Sequence, residues 1–152
     1  MPIHGMAKVK KAVKNTRVNA NDGIKKEYIK GLTAVVKGTP VDNGRARNNW
    51  FLTVGSPSRS MRAPSKGGNG SFSSIGRLPK SILNKKVFFS NNLPYINTLE
   101  YGGYPSPVRL GSWDKRKKRY IKKSKGGFSK QVAPRGWVRI ALAHIKKGIR
   151  KL

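Results

Sequence analysis

Within the dozen residues from Thr39 to Trp50, TPVDNGRARNNW, a helical pattern is forced to stop and an apolar, β-rich run begins. No other stretch constrains the fold as much. Upstream, Ile24, Tyr28, Leu32, Val35 and Val36 recur at three-to-four spacing. They predict a helix from Asp22, its cap, to about Lys37, with Lys25, Lys26 and Lys30 off the apolar face. Gly31 weakens that helix, Gly38 suits the position just past its end, and Pro40 forbids continuation. Asp42 is placed to accept from N–H groups just ahead, as an Asx-turn, and Asn43-Gly44 supplies a pair able to take positive φ. The plain reading of Asp42 and Gly44 is a helix-to-strand corner. Arg45 and Arg47 share one side if the segment is extended, which makes them candidates for contact with a neighbouring subunit or DNA.

Beyond the corner, Asn48 to Val54 reads as a strand, with Trp50, Leu52 and Val54 on one face and Phe51 and Thr53 on the other. Residues 56–80 hold Ser, Gly, Pro and basic groups and predict a mobile loop or hairpin tip. A second strand is expected over Lys86 to Ser90, then a turn at Asn91-Asn92-Leu93-Pro94. Tyr95 to Tyr101 fits either a short helix or an irregular turn. Gly102, Gly103, Pro105 and Pro107 break structure, and Val108 to Trp113 is a candidate strand. Pro134 opens a final helix over about 135–150 whose face carries Val138, Ala141, Leu142, Ile145 and Ile149. The expected organisation is a basic arm over 1–21, part helix or disordered, and a single domain over 22–152 with a mobile loop at 56–80 and a basic loop at 114–130. The fold class is α+β: a small, mainly antiparallel sheet packed by an N-terminal and a C-terminal helix.

Charge sets the partners. The 152 residues include 34 Lys+Arg against 5 Asp+Glu, a net charge of +29, and such a chain calls for anions nearby. Eight of the eleven residues in 115–125 are cations, namely Lys115, Arg116, Lys117, Lys118, Arg119, Lys122, Lys123 and Lys125. That density fits phosphate contact by counterion release, or an acidic partner surface, against the plainer reading of a solvated loop. Nothing in it supplies base-specific readout.

Several classes are disfavoured. No apolar run approaches the roughly 18–20 residues a spanning helix needs, so no membrane partner is expected. The N-terminus has no apolar core of the kind a secretory signal carries. Cysteine is absent, His4 and His144 have no metal-ligand spacing, and neither a GxSxG elbow nor a P-loop occurs, so neither metal nor cofactor is expected. Glu100 reads as a salt-bridge partner for an arginine; a catalytic carboxylate would need a companion acid, histidine or metal.

The stretches TPVDNGRARNNW, NNLPYINTLEYGG and APRGWVRIALA together resemble the small tail-completion, or neck, proteins of long-tailed bacteriophages. The resemblance rests on Thr39, Pro40, Val41, Asp42, Gly44 and Arg45, then on Asn92, Tyr95, Glu100, Tyr101 and Gly102. Asn43 and Ile96 are mild departures, standing where threonine and alanine are usual. The matches span residues 39 to about 143. The resemblance implies a non-enzymatic virion subunit that forms a homo-oligomeric ring, a hexamer, at the head–tail interface. Its neighbours would be portal or connector proteins on one face and tail-tube or tail-terminator proteins on the other, with DNA passing the channel non-specifically. It would lie in the host cytoplasm during assembly. The rival reading is a nucleic-acid-binding structural protein of ribosomal or nucleoid type, which the composition favours. A small hydrolase ranks last, because no acid–base or nucleophile constellation is present.

Overall fold

A single helix, α1, runs from Met6 to Gly38, so the first predicted helix starts well before Asp22. The computed structural model describes residues 5–101, 112–114, 118–121 and 136–152. Between Met6 and Asn21 the chain has neither proline nor glycine, and its asparagines cost only a few tenths of a kcal/mol each in a helix, about 0.7 at most. Asp22 is therefore an interior residue and not a cap. The helix ends where the sequence requires. Thr39 is extended, as a residue before proline must be, and its N–H still donates to Val35 O at 3.0 Å.

The corner contains a helical turn, α2 (Arg45–Asn48), and then strand β1 (Phe51–Val54). The expected strand thus begins later than Asn48. Trp50, Phe51 and Leu52 are all buried, Thr53 is half-buried and Val54 is exposed, so burial falls off along the strand and does not alternate between two faces as predicted. Strand β2 (Val87–Ser90) pairs antiparallel with β1, Phe51 opposite Ser90 and Val54 opposite Val87. The Trp50 and Phe89 rings stack at 4.9 Å.

Residues 56–80 depart from the mobile-loop expectation. Helix α3 (Asn69–Gly76) lies along the outer edge of β1 with Ser71, Ser74 and Ile75 buried. The serine hydroxyls complete that edge: Ser71 Oγ accepts from Trp50 N at 3.0 Å and Ser74 Oγ from Leu52 N at 2.8 Å. The sheet stops at two strands because serines of a helix take the bonds a third strand would have taken.

Helix α4 (Ile96–Tyr101) resolves the choice between helix and turn. Strands β3 (Ser112–Asp114) and β4 (Arg119–Ile121) form a second antiparallel pair, with β4 inside the region 114–130 read as a basic loop and β3 ending at its first residue. The strand expected over 108–113 meets β3 at Ser112 and Trp113, and residues 108–111 lie outside the described ones. Helix α5 (Val138–Ile149) closes the domain; Pro134, expected to open it, is also outside the described residues.

Helix α5 packs antiparallel on α1. A Cβ at Gly31 would meet Ile145 side-chain atoms, so the glycine read as a helix-weakening residue is what lets the two helices approach. The core is Leu32, Val35 and Val36 from α1, Trp50 and Leu52 from the corner and β1, Ile75 from α3, and Ala141 and Ile145 from α5. Leu142, expected on the apolar face, is 49% exposed. The chain is an α+β fold in which the terminal helices pack on a small antiparallel sheet.

Candidate functional site

The residues singled out at the corner form a buried hydrogen-bonded unit. The Thr39 hydroxyl donates to Val35 O at 2.7 Å and accepts from Trp50 Nε1 at 2.9 Å. That bond ties the helix end to the strand start and satisfies the buried indole. Gly44 has φ +85°, and a Cβ there would collide with the backbone at Ser65 and Lys66. The reversal therefore needs glycine for conformation and for space. An Asx-turn forms at Asn43, whose Oδ1 accepts from Arg45 N at 2.9 Å, next to the exposed Asp42. Pro40 is half-buried beside it.

The two arginines part company. In a helical turn they do not share a side, so the extended-segment expectation is corrected. Arg45 is exposed, whereas the Arg47 guanidinium turns back onto the carbonyls of Lys37 (2.8 Å), Thr39 (3.1 Å) and Lys66 (3.3 Å). Those carbonyls belong to the end of α1 and to the chain entering α3, so Arg47 is a staple and not a contact group.

Four asparagines do similar work; the sequence marks Asn91 and Asn92 as a turn but gives no such role to Asn48 and Asn49. Asn49, 1% exposed, accepts from Arg62 N at 2.7 Å and donates to Arg62 O at 3.0 Å, imitating a strand partner with its amide. Asn48 donates to Ala63 O and accepts from Gly70 N, both at 2.8 Å. Asn91 donates to Ala46 O at 2.9 Å, and Asn92 to Ser58 O and Ser60 O. Arg62 completes the set by donating to Asn48 O and Trp50 O while lying 3.8 Å over the Phe51 ring. Burial, with Arg77 adding repulsion, pushes its guanidinium below the ordinary value. The available signal was the doublet Asn-Asn at the start of β1 and again at the end of β2: adjacent amides where a strand ends have backbone groups to satisfy.

Glu100 does what its lone-acid reading anticipated, and more. It is 5% exposed and binds Arg139 Nε at 3.1 Å. Its carboxylate also accepts from the backbone N–H groups of Trp137, Val138 and Arg139, each at 3.0 Å. Glu100 thereby caps the start of α5, where the helix dipole favours an anion. Burial pushes its carboxyl up, but the three backbone donors and the Arg139 guanidinium outweigh this and hold it below the usual glutamate range.

Corner and clamp meet at one atom. Val35 O, already accepting from Thr39, also accepts from Trp137 Nε1 at 3.1 Å, and Trp137 N in turn donates to Glu100. Three motifs about fifty and ninety residues apart in sequence are thus one bonded assembly. What remains outside it is a cationic and aromatic rim. Tyr95 (39%) and Tyr101 (58%) are exposed, and the Arg139 guanidinium lies 4.7 Å over the Tyr101 ring. Within the basic run, Lys118 and Arg119 are exposed at the β3–β4 turn. Lys115, Arg116, Lys117, Lys122, Lys123, Lys125 and Gly102 lie outside the described residues.

Comparison with known proteins returned nothing: no family model, no curated protein and no solved structure matches the chain. The described residues contain no group of three or more His, Cys, Asp or Glu able to hold a metal ion. No helix among them is long and apolar enough to cross a membrane. The arrangement's chemistry is that of a densely bonded polar network, in which Arg47 Nε and Ser90 Oγ are buried atoms without a hydrogen-bond partner.

Proposed function

We propose that this chain is a ring-forming neck or tail-completion subunit, a virion structural protein that joins the DNA-filled head of a long-tailed phage to its tail. The observation that carries the reading is the convergence on Val35 O. Described residues of the stretches that resemble the neck family, 39–50, 91–103 and 133–143, are joined: Asn91 donates to Ala46 O, Trp137 N donates to Glu100, and Thr39 and Trp137 both donate to Val35 O of α1. Their polar groups act as scaffold. Glu100, the acid among them with both oxygens engaged by α5, has no lone pair left over for proton transfer in this geometry. A protein whose work is geometric needs such stiffness and an outward rim for neighbours. Arg45, Tyr95 and Tyr101 supply that rim towards portal or connector proteins on one side and tail proteins on the other. The run from Lys115 to Lys125 faces DNA in the channel or an acidic neighbour.

The net charge of +29 favours one other reading, a nucleic-acid-binding structural protein of ribosomal or nucleoid type. Mass measurement of the purified protein in high salt separates the two. The ring reading expects a closed particle of defined mass, six times the 16.8 kDa chain for a hexamer. A monomer at every salt concentration contradicts it and supports the second reading.

A further inference from the structure

Helix α1 leaves the body of the domain at Asn21. That buried amide is the last tie: its Nδ2 donates to Lys80 O at 2.8 Å and its Oδ1 accepts from Ile82 N at 2.9 Å. Every residue from Gly5 to Asn19 is exposed, so a helical rod of about 20 Å projects from the fold. It carries Lys8, Lys10, Lys11, Lys14 and Arg17 and not one acid. Like charges at i, i+3 and i, i+4, such as Lys10 with Lys14 and Lys14 with Arg17, oppose the helix. Its valines are also unusually bare, with Val9 58%, Val13 48% and Val18 49% exposed. The rod and the 80–84 segment line a groove with Val9, Val13, Val18 and Leu83 among its walls, and with four cations, Lys10, Lys14, Arg17 and Lys80, against one acid, Asp22, at its inner end.

We infer that this groove is the docking site for an acidic, amphipathic segment of a different protein. The apolar walls take apolar side chains in the helix-in-groove manner, and the surrounding cations pair with carboxylates. A second copy of this chain is the wrong occupant. Its five acids are Asp22, Glu27, Asp42, Glu100 and Asp114, and no two lie closer than five residues. Asp22 and Glu27 are in α1 itself, and Glu100 is buried at α5. No segment of the chain can present acids at successive helical turns. Nucleic acid is disfavoured by the valines, which phosphate would leave unsatisfied. The inference stands apart from the neck reading, because none of the resemblance-bearing residues lines this groove.

The test uses the full-length protein and a fluorescent two-heptad peptide, leucine on its inward face and glutamate elsewhere, with duplex DNA as the competing probe. Val9→Ser with Val13→Ser removes apolar wall; Lys10→Gln, Lys14→Gln and Arg17→Gln remove the charge. All five positions are exposed, so an unchanged Tm confirms that the fold is intact. The peptide should bind saturably, with the serine pair weakening it about tenfold and the glutamine triple also weakening it. Duplex binding should not respond to the serine pair. Absence of peptide binding overturns the inference. So does peptide binding indifferent to the serine pair, or duplex binding tighter than peptide binding and lost in the glutamine triple, either of which makes the rod a simple polyanion contact.

Discussion

Glu100 shows how much one residue can hold. Its carboxylate accepts three backbone N–H bonds and one from Arg139, and it does so buried. Glu100→Gln keeps the shape but turns an amide N–H₂ towards backbone donors. The loss is expected to be about 2 kcal/mol or more, roughly 4–8 °C in Tm, since bonds to charged acceptors are worth more than neutral ones. The pH dependence follows in sign. The folded-state pKa is depressed, so the group's contribution is complete above the ordinary glutamate value of about 4.3 and disappears as pH falls through the lower folded value. The Tm gap between wild type and Glu100→Gln should therefore stay constant from neutral pH to about pH 5 and shrink in stronger acid. A gap that persists unchanged through acid would mean that the charge is not what α5 rests on. At Gly44, φ is +85° and the space for a Cβ is filled by backbone. Gly44→Ala should cost more than the roughly 1–2 kcal/mol of a left-handed alanine, because the clash adds to it. Chemical denaturation reads this directly, and a loss below about 0.5 kcal/mol would contradict the corner as described.

Among the elements, α3 carries the clearest lesson. Its one large buried apolar residue is Ile75, so no hydrophobic period marks it, and Ser, Gly and Asn read as loop. What holds it is complementarity between serine hydroxyls and the backbone of β1, which depends on a partner far along the chain. Ser74→Ala should strand the buried Leu52 N–H and cost about 1–3 kcal/mol, with Ser71→Ala doing the same to Trp50 N–H. Exchange of those two amides, followed by NMR, should accelerate in the matching variant alone. Equal exchange rates in wild type and variant would show that the hydroxyls do not close the edge. Elements with an apolar stripe were legible: the Ile24–Val36 face of α1, β1, β2 and α5 all stand near their expected places. The corner was legible as a corner, through Pro40 and Gly44, but not its wiring. Arg47 reads as outward-facing in the sequence because a helical turn between Gly44 and Trp50 has too few residues to show periodicity. Asn48 and Asn49 escaped notice because their partners, Ala63 and Arg62, sit in a stretch with no pattern. The start of α1 was placed too late, since a cationic helix without an apolar face on the core reads like an arm.

At the scale of the whole molecule, charge and rigidity divide the work. The net +29 resides on a fold whose motif residues are spent inwardly, on Val35 O, on α5 and on the 58–70 segment. A molecule so charged repels its own copies until salt, phosphate or carboxylate compensates. A joint between a DNA-filled head and a tail offers both. We propose that this chain completes that joint, and electron microscopy of a lysate from phage lacking the gene is the decisive test. Full heads and finished tails should lie apart, with joining restored when the purified protein is added back. Normal, joined and infectious particles in that lysate would contradict it.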